Sequence, residues 1–195
     1  NEYPITWTTV TNWRTTIVLT NSGTNAVVVQ GYDPNGNLIT GATVTNYLIY
    51  NGTVSQPQGN IVFNEIMYYP TNTGAAYIEL YNNSTNFTFD LSGWRINGLG
   101  YTFPDGSFIA PNSCIVLAQN STIFYQTYGF YPFDVYPGNL QTNGETLTLL
   151  KPEIDVDGNT NEVIIDRVRY ESAPPWPALA NGLNASLQLI DSTND

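Results

Sequence analysis

Short apolar runs, many of them alternating with polar residues, recur along the chain between clusters of Gly, Pro, Asn and Asp. Alternation with a period of two predicts β-strands, and the turn residues predict short connections between them. Turn signals that recur about every 8–12 residues are expected of an immunoglobulin-like β-sandwich. From residue 61 onward the runs predict strands near residues 61–68, 76–82, 87–90, 93–96, 101–103, 114–118, 145–150, 163–170 and 185–190.

Residues 120–132 are the best candidate for a helix. Asn120 or Ser121 could cap its start, Phe124 and Tyr128 are spaced to share one face, and Gly129 could end it. The segment therefore predicts one or two helical turns within a loop.

The first part of the chain has strand-like runs at residues 15–21, 25–33 and 43–52, followed by a linker-like stretch with Pro and Gly. We therefore divide the chain into an N-terminal β-strand segment, residues 1–59, and a β-sandwich, residues 60–195. Three or four strands make one small sheet with a face that needs cover. The segment could pack on the second domain or give strands to another chain, because long uncharged strands pair readily at sheet edges.

Charge and composition narrow the possible functions. The chain has 16 acidic and 5 basic residues and a net charge of −11, which disfavours nucleic acid and anionic membranes as partners. Histidine is absent, so Ser-His-Asp catalysis and His-based metal sites are excluded. Cys114 is the single cysteine and is expected to be a buried apolar side chain. No apolar run approaches the ~18 residues that a membrane helix needs.

The location of the protein is indicated by its N-x-S/T sequons, which cluster in predicted turns and suit exposed acceptors on an extracellular or cell-surface protein. A low Lys content agrees with this location. The candidate glycosylation residues are Asn51, Asn82, Asn83, Asn86, Asn120 and Asn184.

Several stretches occur in an order typical of one family: "IVFNEIMYYP", "AYIELYNNSTNFTFDLSGWRI", "YTFPDGSFIAPNSCIVLA", "LQTNGETLTLL" and "IIDRVRYESAPPWP". From residue 60 to about residue 191 the chain resembles the lamin tail domain family in its bacterial and archaeal extracellular form. The resemblance implies an immunoglobulin-like β-sandwich, and it has no counterpart for the first 59 residues. The sequence departs from the family pattern in the aromatic segment 129–141 and in the expanded hairpin 151–163.

Glu65 and Glu79 are unusual because each lies inside a strand-like run of a chain that has few charges. A catalytic carboxylate pair is one interpretation. We favour structural struts of the sandwich, bonded to backbone amides or to an arginine, because buried carboxylates must be paired or hydrogen-bonded. The arginines near in the pattern are Arg95, Arg167 and Arg169. Trp94 and Trp176 are expected to anchor the core or its corners.

The stretch "DVDGNTNE" is the best metal candidate. Its oxygen-bearing residues Asp155, Asp157, Asn159 and Glu162 alternate as calcium ligands do, although the glycine position does not match an EF-hand. A plain polar hairpin is the alternative. Calcium is the only cofactor that the sequence suggests.

Aromatic residues are concentrated in one segment, and three roles are possible for it: a cap on the sandwich, a contact between subunits, or a sugar-stacking surface. Its members are Phe124, Tyr125, Tyr128, Phe130, Tyr131, Phe133 and Tyr136.

Together these features predict a non-catalytic extracellular structural module. It would be a cell-surface or filament subunit that assembles with copies of itself when an N-terminal strand completes a sheet of the next chain. The alternative is a ligand- or glycan-binding accessory domain of a larger secreted protein. An enzyme is disfavoured, and insertion into a membrane is not expected.

Overall fold

The computed structural model describes residues 2–192, and strands dominate its secondary structure. The strands are β1 (Thr6–Trp7), β2 (Trp13–Arg14), β3 (Gly23–Tyr32), β4 (Leu38–Tyr50), β5 (Ile61–Met67), β6 (Tyr77–Asn82), β7 (Phe89–Asp90), β8 (Arg95–Asn97), β9 (Tyr101–Thr102), β10 (Phe108–Ile109), β11 (Ser113–Ala118), β12 (Asp134–Val135), β13 (Gly144–Ile154), β14 (Thr160–Glu171) and β15 (Leu187–Gln188). The helix α1 spans Ser121–Tyr128, and a 3₁₀ turn spans Ala178–Ala180. Within residues 2–192, no helix has the length and apolar character needed to cross a bilayer.

The chain divides into two compact units. The smaller unit is Ile17–Ser55, and the larger one combines the residues up to Thr16 with those from Gln56 onward. The sequence predicts a single boundary near residue 59, whereas this division has two and groups the first sixteen residues with the larger unit.

The larger unit contains two main sheets. One has five strands in the order β12-β11-β6-β5-β15, and the other has four in the order β14-β13-β8-β9. Side chains with no exposed surface project into the core from both sheets, such as Ile78 and Leu80 from β6 and Leu147 and Leu149 from β13. The predicted fold class, an all-β immunoglobulin-like sandwich, is confirmed.

Two tight turns of the larger unit contain a glycine with positive φ. Gly93 has a φ of 75° in the turn closed by the Trp94 N–H, which donates to the Leu91 carbonyl. Gly106 has a φ of 81° beside the Ser107 N–H, which donates to the Pro104 carbonyl. Positive φ values favour glycine because it has no Cβ.

The predicted helix is also present. The Asn120 side chain accepts a hydrogen bond from the Ile123 N–H at the start of α1. Gly129 adopts the left-handed conformation at its end, and its N–H donates to the Tyr125 carbonyl. These are the caps that the sequence pattern indicated.

Strand β5 contains an irregularity that the sequence pattern did not reveal. Its pairing with β6 shifts between Phe63 and Glu65, so Asn64 is an extra residue. Ile61 and Phe63 belong to the core before this bulge, and Ile66 does so after it. Because side chains alternate along a strand, the extra residue directs Glu65 away from the core.

The bulge coincides with a hydrogen bond between the two sheets. The backbone N–H of Phe63 donates to Oδ2 of Asp166 at 2.7 Å, and Asp166 lies in β14 of the other sheet. The Asp166 side chain is buried. The pairing of β13 with β14 also shifts beside it, between Leu149 and Leu150. Asp166 therefore links irregularities in both sheets, and the sequence did not single it out.

Residues 2–16 contain no long strand. They form the short hairpin β1–β2, with Trp7 opposite Trp13. Tyr3 donates a hydrogen bond to Asp90 at 2.9 Å and stacks on Phe108 within the same unit. The strand predicted at residues 15–21 is wrong, because no regular strand forms there.

The smaller unit is a two-stranded antiparallel ribbon made of β3 and β4. The strands predicted near residues 25–33 and 43–52 correspond to it. Large apolar side chains are exposed along both strands, including Val28 at 53%, Tyr47 at 70% and Ile49 at 71%.

A buried hydroxyl provides a test of the core. Tyr136 is 3% exposed, and its hydroxyl has no hydrogen-bond partner among the described residues. Tyr136→Phe removes this unsatisfied group, so we expect the free energy of unfolding to rise by about 0.5–2 kcal/mol.

Tyr170→Phe is the matched control, because the Tyr170 hydroxyl donates to the Gln141 carbonyl and contacts Glu145, both at 2.9 Å. This change should lower the free energy of unfolding by about 1–3 kcal/mol. Urea denaturation measures both values. Equal losses of stability in the two variants would contradict the assignment.

Candidate functional site

Glu65 and Glu79 lie directly opposite each other on neighbouring strands β5 and β6. Both are half-buried and face outward from the five-stranded sheet. Glu65 does so because of the bulge at Asn64, and Glu79 does so because it alternates with the core residues Ile78 and Leu80 along β6. The description of these residues as internal struts therefore needs correction. They are a cross-strand carboxylate pair on the outer face, and like charges in this arrangement repel.

Neutral donors bind the two carboxylates. Glu65 accepts a hydrogen bond from the Tyr77 hydroxyl at 2.6 Å and another from the Ser186 hydroxyl. Glu79 accepts one from the Asn64 side-chain amide at 2.7 Å. Burial, followed by the contact with Glu65, raises the pKa of Tyr77, so its hydroxyl keeps the proton that it donates.

The predicted arginine partners are wrong. Arg95 pairs with Glu162, with its Nε 2.6 Å from the carboxylate, and Arg169 pairs with Glu171. The backbone N–H of Arg167 donates to Asp166, and its side chain is not among the described partners of Glu65 or Glu79. Two donors lie beside one glutamate in the chain but bind the other, since Asn64 donates to Glu79 and Tyr77 donates to Glu65. This exchange depends on the pairing of β5 with β6, and Ser186 is 121 positions from Glu65, so the sequence pattern did not reveal these contacts.

Cys114 lies on β11 beside this cluster and is exposed, not buried as the sequence suggested. Local burial and a hydrogen bond to Glu79 raise the pKa of its thiol to about 12. A thiol with this pKa is protonated at neutral pH and is a poor nucleophile. The cluster therefore consists of two hydrogen-bonded carboxylates and a protonated thiol.

Asp155 closes the hairpin between β13 and β14. Its Oδ1 accepts hydrogen bonds from the N–H groups of Asp157 and Asn159, and its Oδ2 accepts from the side chains of Asn159 and Asn161. The bond from the Asn159 N–H is the main reason that the pKa of Asp155 lies below its usual value.

The turn of the smaller unit has the same construction. In "DPNGN" the Asp33 carboxylate accepts from the N–H groups of Asn35 and Asn37 and from the Asn37 side chain. In both turns the asparagine four residues after the aspartate donates to its carboxylate from both its backbone N–H and its side chain. A glycine with positive φ precedes that asparagine. The two turns share the sequence pattern D-x-x-G-N.

These contacts bear on the predicted calcium ligands. Glu162 is bound to Arg95, and Asp155 is engaged by its own loop. Within residues 2–192, no group of three or more Asp, Glu, Cys or His side chains is arranged to hold a metal ion. The geometry favours the polar hairpin, and calcium at Asp155, Asp157, Asn159 and Glu162 stays a prediction.

The sequon asparagines differ in accessibility. Asn82 is completely buried, and its side-chain nitrogen donates to the carbonyls of Phe87, Ile109 and Ala110. An N-linked glycan would be attached to this buried nitrogen, so the prediction that Asn82 is a glycosylation site is wrong. Asn82 is a structural residue. Asn83 is half-buried, with its amide donating to two carbonyls. The exposed acceptors are Asn51, Asn86, Asn120 and Asn184.

The two tryptophans that the sequence singled out pack inward. Trp94 is 4% exposed and belongs to the core, and Trp176 is half-buried and packs against it. Their positions agree with an anchoring role.

The aromatic segment separates into buried and exposed parts. Phe124 and Tyr136 belong to the interior. Tyr125 and Tyr131 are exposed and stack with their ring centroids 4.4 Å apart and their planes 18° apart. Two flat, parallel and accessible rings form a surface on which a planar or ring-shaped ligand could stack.

Residues 54–172, more than half of the chain, match the family model described as Lamin Tail Domain. This range contains the ten strands from β5 to β14. No curated protein and no solved structure matches the chain.

A calcium titration tests the metal prediction. A bound ion would raise the melting temperature in millimolar Ca²⁺, because a ligand that binds the folded state stabilises it. Asp157→Ala would remove this increase, whereas Asn35→Ala, at the equivalent position of the other turn, would keep it. An unchanged melting temperature of the unaltered chain would contradict calcium binding.

Proposed function

Because the chain belongs to the lamin tail domain family, whose members are structural immunoglobulin-like domains, we propose that it is a non-catalytic extracellular structural module that assembles through β-strand addition. The observation that carries this proposal is the β3–β4 ribbon. Its strands are 10 and 13 residues long and contain no charged residue.

A two-stranded ribbon is marginally stable by itself in water and gains from additional strands. Natural sheets protect their edges with Lys, Pro or short strands, and β3 and β4 have none of these features. An unprotected edge supports strand addition from another chain.

The donor differs from the one that the sequence suggested. Tyr3 contacts Asp90 and Phe108 of its own chain, and residues 6–14 form their own hairpin. The ribbon, and not the first twenty residues, is therefore the segment that we assign to assembly.

The extracellular part of the proposal is supported by the four exposed sequon asparagines and by the acidic charge of the chain. The non-catalytic part is supported by the outer-face carboxylates. Glu65 and Glu79 are engaged by neighbouring side chains, and the thiol of Cys114 is protonated. Such groups hold one another in place and are not poised for proton transfer or attack.

A second candidate function is glycan binding, and the stacked rings of Tyr125 and Tyr131 favour it. They are 43% and 68% exposed. Aromatic faces bind the apolar side of ring-shaped ligands, and the neighbouring Gln126 offers polar contacts at the surface.

Assembly is tested with the whole chain. We expect the mean mass measured by light scattering to rise with protein concentration, and amides of residues 23–50 to exchange more slowly in the associated state. Introducing charge on both strands with Val28→Glu and Val44→Glu should abolish this rise. A melting temperature equal to that of the unaltered chain shows that the sandwich remains folded, and electron microscopy shows the form of the assembly. A mass that stays monomeric at every concentration would rule out self-assembly.

Glycan binding is tested with a glycan array. Tyr131→Ala should abolish binding because it removes half of the stack, and Tyr47→Ala, an exposed tyrosine of the ribbon, should retain it. Binding that survives Tyr131→Ala would place the glycan elsewhere.

A further inference from the structure

We propose that the outer edge of β4 pairs antiparallel with the same edge of a second copy of this chain, which gives a four-stranded sheet in the order β3-β4-β4-β3. This inference rests on the proposed function and specifies the edge and the partner through which assembly occurs.

The two strands of the ribbon differ in exposure. Along β3, half-buried and exposed residues alternate through its whole length. Along β4 only Ala42 and Tyr50 are half-buried, and every other residue is exposed. The β4 side of the ribbon is therefore the more accessible one.

Strand β4 is also regular where a partner would bind. Residues 43–50 pair with residues 23–30 in one continuous register. The irregularity of the ribbon is confined to the beginning of β4, where Gly41 has a φ of 81°. Eight regular residues give an edge about 27 Å long, which is longer than a typical strand.

Charge indicates that the partner is a second copy. The chain carries −11 overall, yet Asp33 is the one charged residue of the smaller unit, and it lies in the turn and not in a strand. Two acidic molecules repel each other over most of their surfaces. The segment "TVTNYLIY" brings no charge to the contact, whereas a basic partner would be expected to require acidic residues there.

Self-pairing also fits the side chains. A contact between identical edges has two-fold symmetry, so residues near the middle of the segment meet their own counterparts. Tyr47 and Ile49 share one face of the ribbon, and Val44 and Leu48 share the other, as their pairing with β3 requires. A second copy gives each of these apolar residues cross-strand neighbours.

Charge exchange on β4 tests this arrangement. Thr45→Lys and Thr45→Glu each place like charges on both edges of a symmetric contact, so each variant alone should lose association in sedimentation velocity. An equimolar mixture should regain it, because opposite charges then face each other. Thr24→Lys and Thr24→Glu are the matched controls on β3 and should associate like the unaltered chain, since Thr24 is also exposed and lies on the same face.

Disulfide formation gives a second measurement in a Cys114→Ser background. Asn46→Cys, near the middle of the regular edge, should form a dimer under mild oxidation, and Thr24→Cys should not. If the unaltered chain never associates, both this inference and the proposed function fail. If it associates but the Thr45 charges have no effect, or if cross-linking occurs at residue 24 and not at residue 46, only the β4 edge is overturned.

Discussion

One extra residue in β5 determines how the sandwich accommodates its carboxylates. Without the bulge at Asn64, the alternation that places Ile61 and Phe63 in the core would also place Glu65 there. A carboxylate in that position would lose its hydration and would need a buried partner, which costs several kcal/mol unless its hydrogen bonds are complete. The bulge moves Glu65 to the outer face and brings Ile66 into the core.

The bulge changes backbone hydrogen bonding as well. The Phe63 N–H is directed to Asp166 of the facing sheet, so the carboxylate that is buried in the sandwich has a specific partner. The pairing of β5 with β6 shifts next to Phe63, and the pairing of β13 with β14 shifts next to Asp166, so both irregularities lie beside this hydrogen bond. The two sheets are thus joined by a hydrogen bond from a backbone donor of one sheet to a buried side chain of the other.

The fold could be predicted where its causes are local. Most strands and the caps of α1 depend on residues close together in the chain, and the sequence located them, although the strand expected at residues 15–21 does not form. The bulge in β5, the role of Asp166 and the burial of Asn82 depend on residues between 14 and 103 positions away. Such contacts leave no periodic signal, so Asn82 resembled an acceptor for a glycan and Glu65 an internal strut.

The candidate sites show the same limit. A D-x-x-G-N turn presents carboxylates and amides at short spacing, as a calcium loop does, and the sequence pattern cannot tell whether these groups bind an ion or one another. The turn at Asp33 answers part of this question. It uses the same hydrogen bonds with a single carboxylate, so the arrangement forms without the acidic residues that an ion would require.

The distribution of charge connects the fold to its proposed role. Several acidic residues of the larger unit accept hydrogen bonds from hydroxyl and amide donors or form ion pairs, which reduces the cost of a strongly negative surface. The ribbon has neither these acids nor the basic residues that usually protect an edge. If two copies met at these uncharged strands, the repulsion between them would be weakest there, and the unpaired backbone groups of the ribbon edge lie at the same place. In the proposed assembly, the negative charge of the sandwiches would therefore restrict association to the uncharged β3–β4 ribbon.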